Sequence, residues 1–165
     1  MGWYMKWGAI GMAAAAVATL AHIYNGEDTS QLLGEPSFQF GNANDLAIYY
    51  QMLLNKGTYG GEQYFTPETV NMFTSKQSDV SRRGLGFDKP EKDNATRKEA
   101  YPSKSVSPET YGHTGFTGTC VWVDPTKQLV YIFLSSRVSP TRNNTKFGRL
   151  NVRPNIQEAI YSAIQ

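Results

Sequence analysis

The sequence predicts an α+β fold, an antiparallel strand meander flanked by helices. Three observations carry it. Two apolar strands, Cys120-Val121-Trp122-Val123 and Leu129 to Leu134, are separated by the turn Asp124-Pro125-Thr126-Lys127. A glycine-rich stretch, Tyr111 to Thr117, precedes them and can form a third strand joined through Gly118. Helix-start signals lie upstream, and a helical apolar period closes the chain.

Residues 1 to 24 stand apart. Met1 to Trp7 is aromatic with one charge, at Lys6, and Gly8 to Ile23 runs apolar and Ala-rich. Two readings stand side by side: a buried Ala-rich helix, since Ala has the best helix propensity, or a signal-like targeting segment. Membrane contact is expected only through residues 1–23, and only on the second reading. Asn25 to Gly41 reads as loop. Asn42 is an N-cap with Asp45 as its capping-box partner, and Leu46, Tyr49, Tyr50 and Leu53 follow at helical spacing. Asn55-Lys56-Gly57 ends that helix. A hairpin turn is expected at Gly60-Gly61. Thr66-Pro67-Glu68 opens a second helix that carries Val70 and Phe73 inward and fades near Lys76.

Residues 77–110 are polar and irregular, with a short strand expected at Gly84-Leu85-Gly86-Phe87. The uninterrupted apolar run Leu129 to Leu134 predicts a strand covered on both faces. After the polar connector Ser139 to Arg153, Pro154 is expected to start the last helix. Its apolar face would be Ile156, Ala159, Ile160, Ala163 and Ile164.

Composition narrows the function. Sixteen basic and 14 acidic residues leave a formal net charge of +2, which offers no electrostatic footprint for nucleic acid. One cysteine, Cys120, excludes a disulfide framework and a multi-thiolate zinc site. At the start of an apolar strand it reads as a small hydrophobe. Two histidines, His22 and His113, exclude a His-rich metal centre. Neither a metal nor a cofactor is expected.

One stretch can carry chemistry. In Tyr111-Gly112-His113-Thr114-Gly115-Phe116-Thr117-Gly118-Thr119, three glycines and three threonines surround a histidine just before an apolar strand. Glycine in a strand marks a bulge or a place where a ligand nears the backbone. Free amides and hydroxyls there can bind an anion or an oxyanion. A tight turn with a surface histidine is the plainer reading. Arg137 and Arg142 follow the last strand, either at the mouth of such a site as carboxylate binders or on a solvated face.

His113-Thr114-Gly115, followed by Phe116-Thr117-Gly118, resembles the Lys/His-Thr-Gly motif of the serine beta-lactamase and penicillin-binding-protein superfamily. Phe40 to Ala47, Gln51 to Gly57 and Gly84 to Phe87 resemble its class C-like members. The similarity is greatest to serine-hydrolase modules that follow glycoside hydrolase family three domains in Bacteroidetes-type bacteria. The resemblance covers residues 40–165 and implies the C-terminal portion of a beta-lactamase/transpeptidase-like fold, preceded by an atypical segment, 1–39.

It further implies roles. The Phe116 amide would be one of two oxyanion donors, and Gly115 would let substrate lie against the strand. Thr114 and Thr117 would offer hydroxyls to a substrate carboxylate, and His113 takes the place usually held by lysine. The implied substrates are beta-lactams, peptidoglycan stem peptides or simple esters, and the implied location is the periplasm or cell envelope. A structural N-terminal helix would point to the cytoplasm instead. No serine is followed by lysine three residues on, and neither Tyr-x-Asn nor Ser-x-Asn occurs. The expectation is therefore that the nucleophile and general base are missing, that no catalytic residue is present, and that the chain does not turn over alone. A non-catalytic module that holds a carboxylate ligand on the His-Thr-Gly strand is the alternative. Exposed strand edges would also allow self-association.

Overall fold

The computed structural model describes residues 42–164. They fall into two units divided between Gly86 and Phe87. The segment 1–39, with His22 and both readings of it, lies outside the described residues.

In the first unit, helix α1 (Ala43–Leu54) starts at a complete capping box. The Asn42 side chain accepts from the Asn44 and Asp45 amides, and Asp45 accepts from the Asn42 amide at 3.1 Å. Two orphan donors of the first turn are thereby satisfied. At the other end the Gly57 amide donates to Met52 O at 2.8 Å. A two-stranded hairpin follows, β1 (Thr58–Tyr59) and β2 (Glu62–Gln63), turning through Gly60-Gly61 as expected. Thr66 caps helix α2 (Pro67–Thr74), with Pro67 in the first turn. Val70 is buried and Phe73 half-buried. Past the helix, Leu85 N donates to Phe73 O, which ties the end of this unit back onto α2.

The second unit is built on a three-stranded antiparallel sheet, order β3-β4-β5. Its strands are β3 (Tyr111–Thr114), β4 (Cys120–Asp124) and β5 (Leu129–Phe133). The register pairs His113 with Val121 and Trp122 with Tyr131. Buried Cys120, Trp122 and Tyr131 form the core, with Tyr101, Phe133 and Ile160 packed against them. Tyr101 meets Trp122 edge to face at 5.3 Å. Gly112 sits where no other residue fits, because a Cβ there would lie 2.1 Å from Val121 O.

Several expectations are corrected by the structure. Gly84 to Phe87 forms no strand. Only Asp88 pairs, exchanging backbone hydrogen bonds with Gly112 at 2.7 and 3.0 Å, while Phe87 packs on Tyr111. β3 stops at Thr114 rather than Thr117, because the Gly115 amide donates to Thr119 O at 2.8 Å and closes a turn. β5 is not covered on both faces. Only Tyr131 is buried, and the fully buried strand is β4, which has a neighbour on each side. The connector after β5 holds a short helix, α3 (Lys146–Arg149), which its polar sequence conceals.

The last helix, α4 (Val152–Ala163), begins two residues before Pro154. Proline is tolerated in the first turn, where an amide has no helical partner anyway. Its buried positions are Gln157 and Tyr161, one step round from the predicted face. Ile156 is 37% and Ile164 51% exposed. The rotation follows from Tyr161, whose hydroxyl donates to Asp124 at 2.6 Å. Glu158 on the same helix accepts from the Ser105 amide and hydroxyl and fastens the 103–107 loop to it.

Candidate active site

The sequence-predicted residues converge on the N-terminal end of β4, at the turn that links it to β3. The alternation of strand side chains puts His113 and Thr114 on opposite faces. His113 is exposed, and its Nδ1 lies 2.8 Å from Thr114 O. A carbonyl only accepts, so that contact places the proton on Nδ1 and leaves Nε2 as the second polar atom of the ring. The Thr114 hydroxyl faces the core side and shares a 3.0 Å hydrogen bond with the Tyr101 hydroxyl.

Beyond Thr114 the chain reverses within four residues. Gly118 donates to Gly115 O at 3.1 Å and adopts φ +106°, a conformation that L side chains rarely take. The Phe116 and Thr117 amides donate to no described residue. Phe116 is 65% exposed and Thr117 is exposed beside it. Two unpaired amides at the end of an edge strand are suited to an anionic oxygen.

Arg137 and Arg142 are brought to the same turn. The Arg137 amide donates to Thr117 O at 2.8 Å and its Nε to Phe116 O at 2.6 Å. Its guanidinium stands 4.4 Å from the Phe116 ring centroid, and that of Arg142 stands 5.9 Å away. Both positive charges therefore sit on the Phe116 face of the turn, where they favour an anion.

Two contributors escaped sequence reading. Arg153, at the start of α4, sends Nη1 to Gly115 O at 3.3 Å and Thr119 O at 3.1 Å, clamping the two ends of the turn from below. Tyr101 holds Thr114. Neither has a local signal: Arg153 sits at the end of a polar connector and Tyr101 in an irregular loop, 38 and 13 residues from their partners.

Cys120, the first residue of β4, is buried, and its thiol is pushed up to about 11 by burial, against the opposing pull of Arg153. It stays protonated and serves as packing, not as a nucleophile.

Comparison with known proteins places this arrangement. The family model described as Beta-lactamase matches residues 3–151, a span that takes in most of the N-terminal segment as well as the His-Thr-Gly turn. A D-alanyl-D-alanine carboxypeptidase-like protein of Escherichia coli O157:H7 is 34% identical over 135 residues, 76% of this chain and 30% of that protein. A similar protein of Salmonella paratyphi B is 33% identical over 117 residues, 71% of this chain and 25% of its own length. The chain thus spans less than a third of the curated relatives it matches. A beta-lactamase from Mycobacterium bovis shares the fold at a TM-score of 0.57 and 20% identity, over 75% of this chain and 44% of that one. With its sheet, closing helix and His-Thr-Gly turn in the expected order, the chain belongs to the beta-lactamase family, within the serine beta-lactamase and penicillin-binding-protein superfamily.

Proposed function

We propose that this chain supplies the substrate-binding strand and one oxyanion donor of a beta-lactamase-like hydrolase site that recognises peptidoglycan-derived peptides. The observation that carries the reading is the turn after His113-Thr114-Gly115, with the unpaired Phe116 amide at its tip and two arginines on its face. In an acyl transfer the carbonyl oxygen gains charge as the tetrahedral intermediate forms. One preorganised amide donor there lowers the barrier by ~3 kcal/mol. Arg137 and Arg142 would attract the terminal carboxylate of a stem peptide, and His113 would stand where relatives commonly carry lysine.

The reacting group is a separate matter. Among these 165 residues no serine precedes a lysine at the Ser-x-x-Lys spacing, so the chain holds a binding wall without a nucleophile of the superfamily's type. It is expected to bind and not to turn over on its own. Substrate recognition of this kind belongs at the cell envelope, and fractionation of the native host should recover the chain there.

The decisive assay incubates the purified chain with a chromogenic cephalosporin and with p-nitrophenyl acetate. The expected result is no turnover above buffer. Turnover that disappears when one serine of this chain is replaced by alanine would overturn the proposal. A binding arm uses a peptide ending in D-alanyl-D-alanine. Expected shifts fall on the Phe116 and Thr117 amides and weaken when Arg137 is replaced by Gln.

A further inference from the structure

The polarity of α4 is inverted. Its two charged residues both turn to the rest of the chain: Arg153 donates to Gly115 O and Thr119 O, and Glu158 accepts from the Ser105 amide. Its exposed positions are Asn155, Ile156, Ala159, Ser162 and Ala163, and none of them is charged. A helix at a protein surface ordinarily carries its charges on the face toward water. The two polar members of this face are also engaged at home. The Asn155 amide donates to Leu150 O at 2.9 Å, and the Ser162 hydroxyl to Glu158 O at 3.0 Å. What remains is an apolar stripe, Val152, Ile156, Ala159 and Ala163, at i, i+4, i+7 and i+11. Leu150, 65% exposed just ahead of the helix, and Ile164, 51% exposed just past it, lengthen the apolar surface at its two ends.

The order of sizes along the stripe indicates what fits it. Val152 and Ile156 are bulky, and Ala159 and Ala163 are small. Against an antiparallel copy of the same helix, Ile156 falls opposite the partner's Ala159 and Val152 opposite the partner's Ala163. Every bulky side chain then meets a small one, and the alanines let the axes approach to ~8 Å. A parallel copy would set Ile156 on Ile156 and leave a gap between alanines. Charge agrees with the antiparallel pairing. Arg153 comes opposite the partner's Ser162 and Glu158 opposite the partner's Gln157, so no like charges meet, and the two helix dipoles oppose each other.

We propose that the outer face of α4 is an interface through which two copies of this chain pair, helix against helix, antiparallel about a two-fold axis between Ile156 and Ala159. The contact is one pair of 12-residue helices, each about 18 Å long. That is small beside the ~1,200–2,000 Å² of a standard interface, so the dimer is a weak one, with an expected Kd of ~10–100 μM. The pairing does not depend on the function proposed above.

The test is sedimentation equilibrium of the full chain over ~2–200 μM. The average mass is expected to rise from that of one chain toward that of two. Ala159→Glu sets a carboxylate against the partner's Ile156, twice over by symmetry, and should weaken association roughly tenfold or more. Ala159 is exposed, so the helix content and urea midpoint of the variant should match those of the unaltered chain. Ile156→Lys should weaken association in the same way. Mixed in equal amounts, the two variants should associate better than either alone, because the new ammonium and carboxylate meet only in the antiparallel register. A monomer at every concentration would leave this face to another segment of the chain or to another protein. Association undiminished by Ala159→Glu would put the contact elsewhere, as at a strand edge. Either result, or no gain on mixing, would overturn the proposal.

Discussion

At the C-terminal end of β4, Asp124 is 1% exposed, and its carboxylate is surrounded by donors. Ser107 gives both its amide and hydroxyl, Tyr161 its hydroxyl, and the Thr126 and Lys127 amides come from the turn itself. At the N-terminal end of the same strand, the turn from Gly115 to Thr119 leaves two amides without a partner among the described residues and exposes 65% of Phe116. One end joins three segments into a fold by satisfying every polar atom. The other is held from behind by Arg153 and offers two amides that donate to no described residue. Five residues of strand separate a buried, fully bonded end from an exposed turn.

The largest way to test that contrast is Asp124→Ala. Removing the carboxylate strands the Tyr161 and Ser107 hydroxyls in a buried place. The expected loss is about 4 kcal/mol, at ~1–3 kcal/mol for each buried donor left unsatisfied, read as a lower urea midpoint. A pH dependence goes with it. Burial pushes the Asp124 carboxyl up, but the Ser107 and Tyr161 hydrogen bonds outweigh burial and hold it below its ordinary value of 3.8. A carboxyl depressed on folding contributes stability that is present above its unfolded value, ~3.9, and is lost as the pH falls through the lower folded one. Wild-type stability should therefore fall on the acid side of pH ~4, and the slope should shrink in Asp124→Ala. It should not vanish, because Glu158 is also held low: burial opposes its ionisation, and the hydrogen bonds from Ser105 prevail. An unchanged slope would remove Asp124 from this role.

Legibility in the sequence follows the same division. Asn42 with Asp45, Thr66 with Pro67, and the turn after Asp124 are local chemistry, and each forms where its residues say. The His-Thr-Gly turn was also legible, because its glycines and threonines are contiguous. The helix face was misread because Tyr161 answers to Asp124, 37 residues away, rather than to its own neighbours. Arg153 and Tyr101 matter through partners that only the folded chain brings near. Periodicity reports a helix's apolar side, not which distant polar partner one of its side chains will meet.

The next effect in size is at Gly112, where β3 and β4 lie too close for a side chain. Gly112→Ala puts a methyl 2.1 Å from Val121 O and 2.8 Å from the Trp122 Cα, so backbone must move. A cost of ~3 kcal/mol is expected, the upper end for overpacking, measured by chemical denaturation. A loss below ~1 kcal/mol would mean that the strand pair yields easily and that the two ends of β4 are less firmly joined than the register implies.

Arg153→Met keeps most of the side chain's reach and removes its charge and both hydrogen bonds to the turn. Hydrogen bonds from charged groups contribute ~1.5–3 kcal/mol, but this loss is local. The Gly115 and Gly118 amides, which close the turn, should exchange with solvent roughly tenfold faster, while the Asp124 end keeps its protection. Equal acceleration at both ends would show that Arg153 supports the whole sheet rather than the turn.

The smallest effect is expected at the most conspicuous side chain. Phe116 is large, apolar and exposed, with Arg137 stacked on its ring at 4.4 Å. An exposed cation–π contact is worth ~0.5–1 kcal/mol, and the backbone bond from Arg137 Nε to Phe116 O survives truncation of the ring. Phe116→Ala should therefore cost about 0.5 kcal/mol of stability. Binding of a D-alanyl-D-alanine peptide should respond more, because without the ring Arg137 loses its support over the turn. If Phe116→Ala instead lowered stability by ~2 kcal/mol or more, the ring would be a structural anchor. The N-terminal end of β4 would then be built as its other end is, and the case for reserving its amides for a ligand would fall with it.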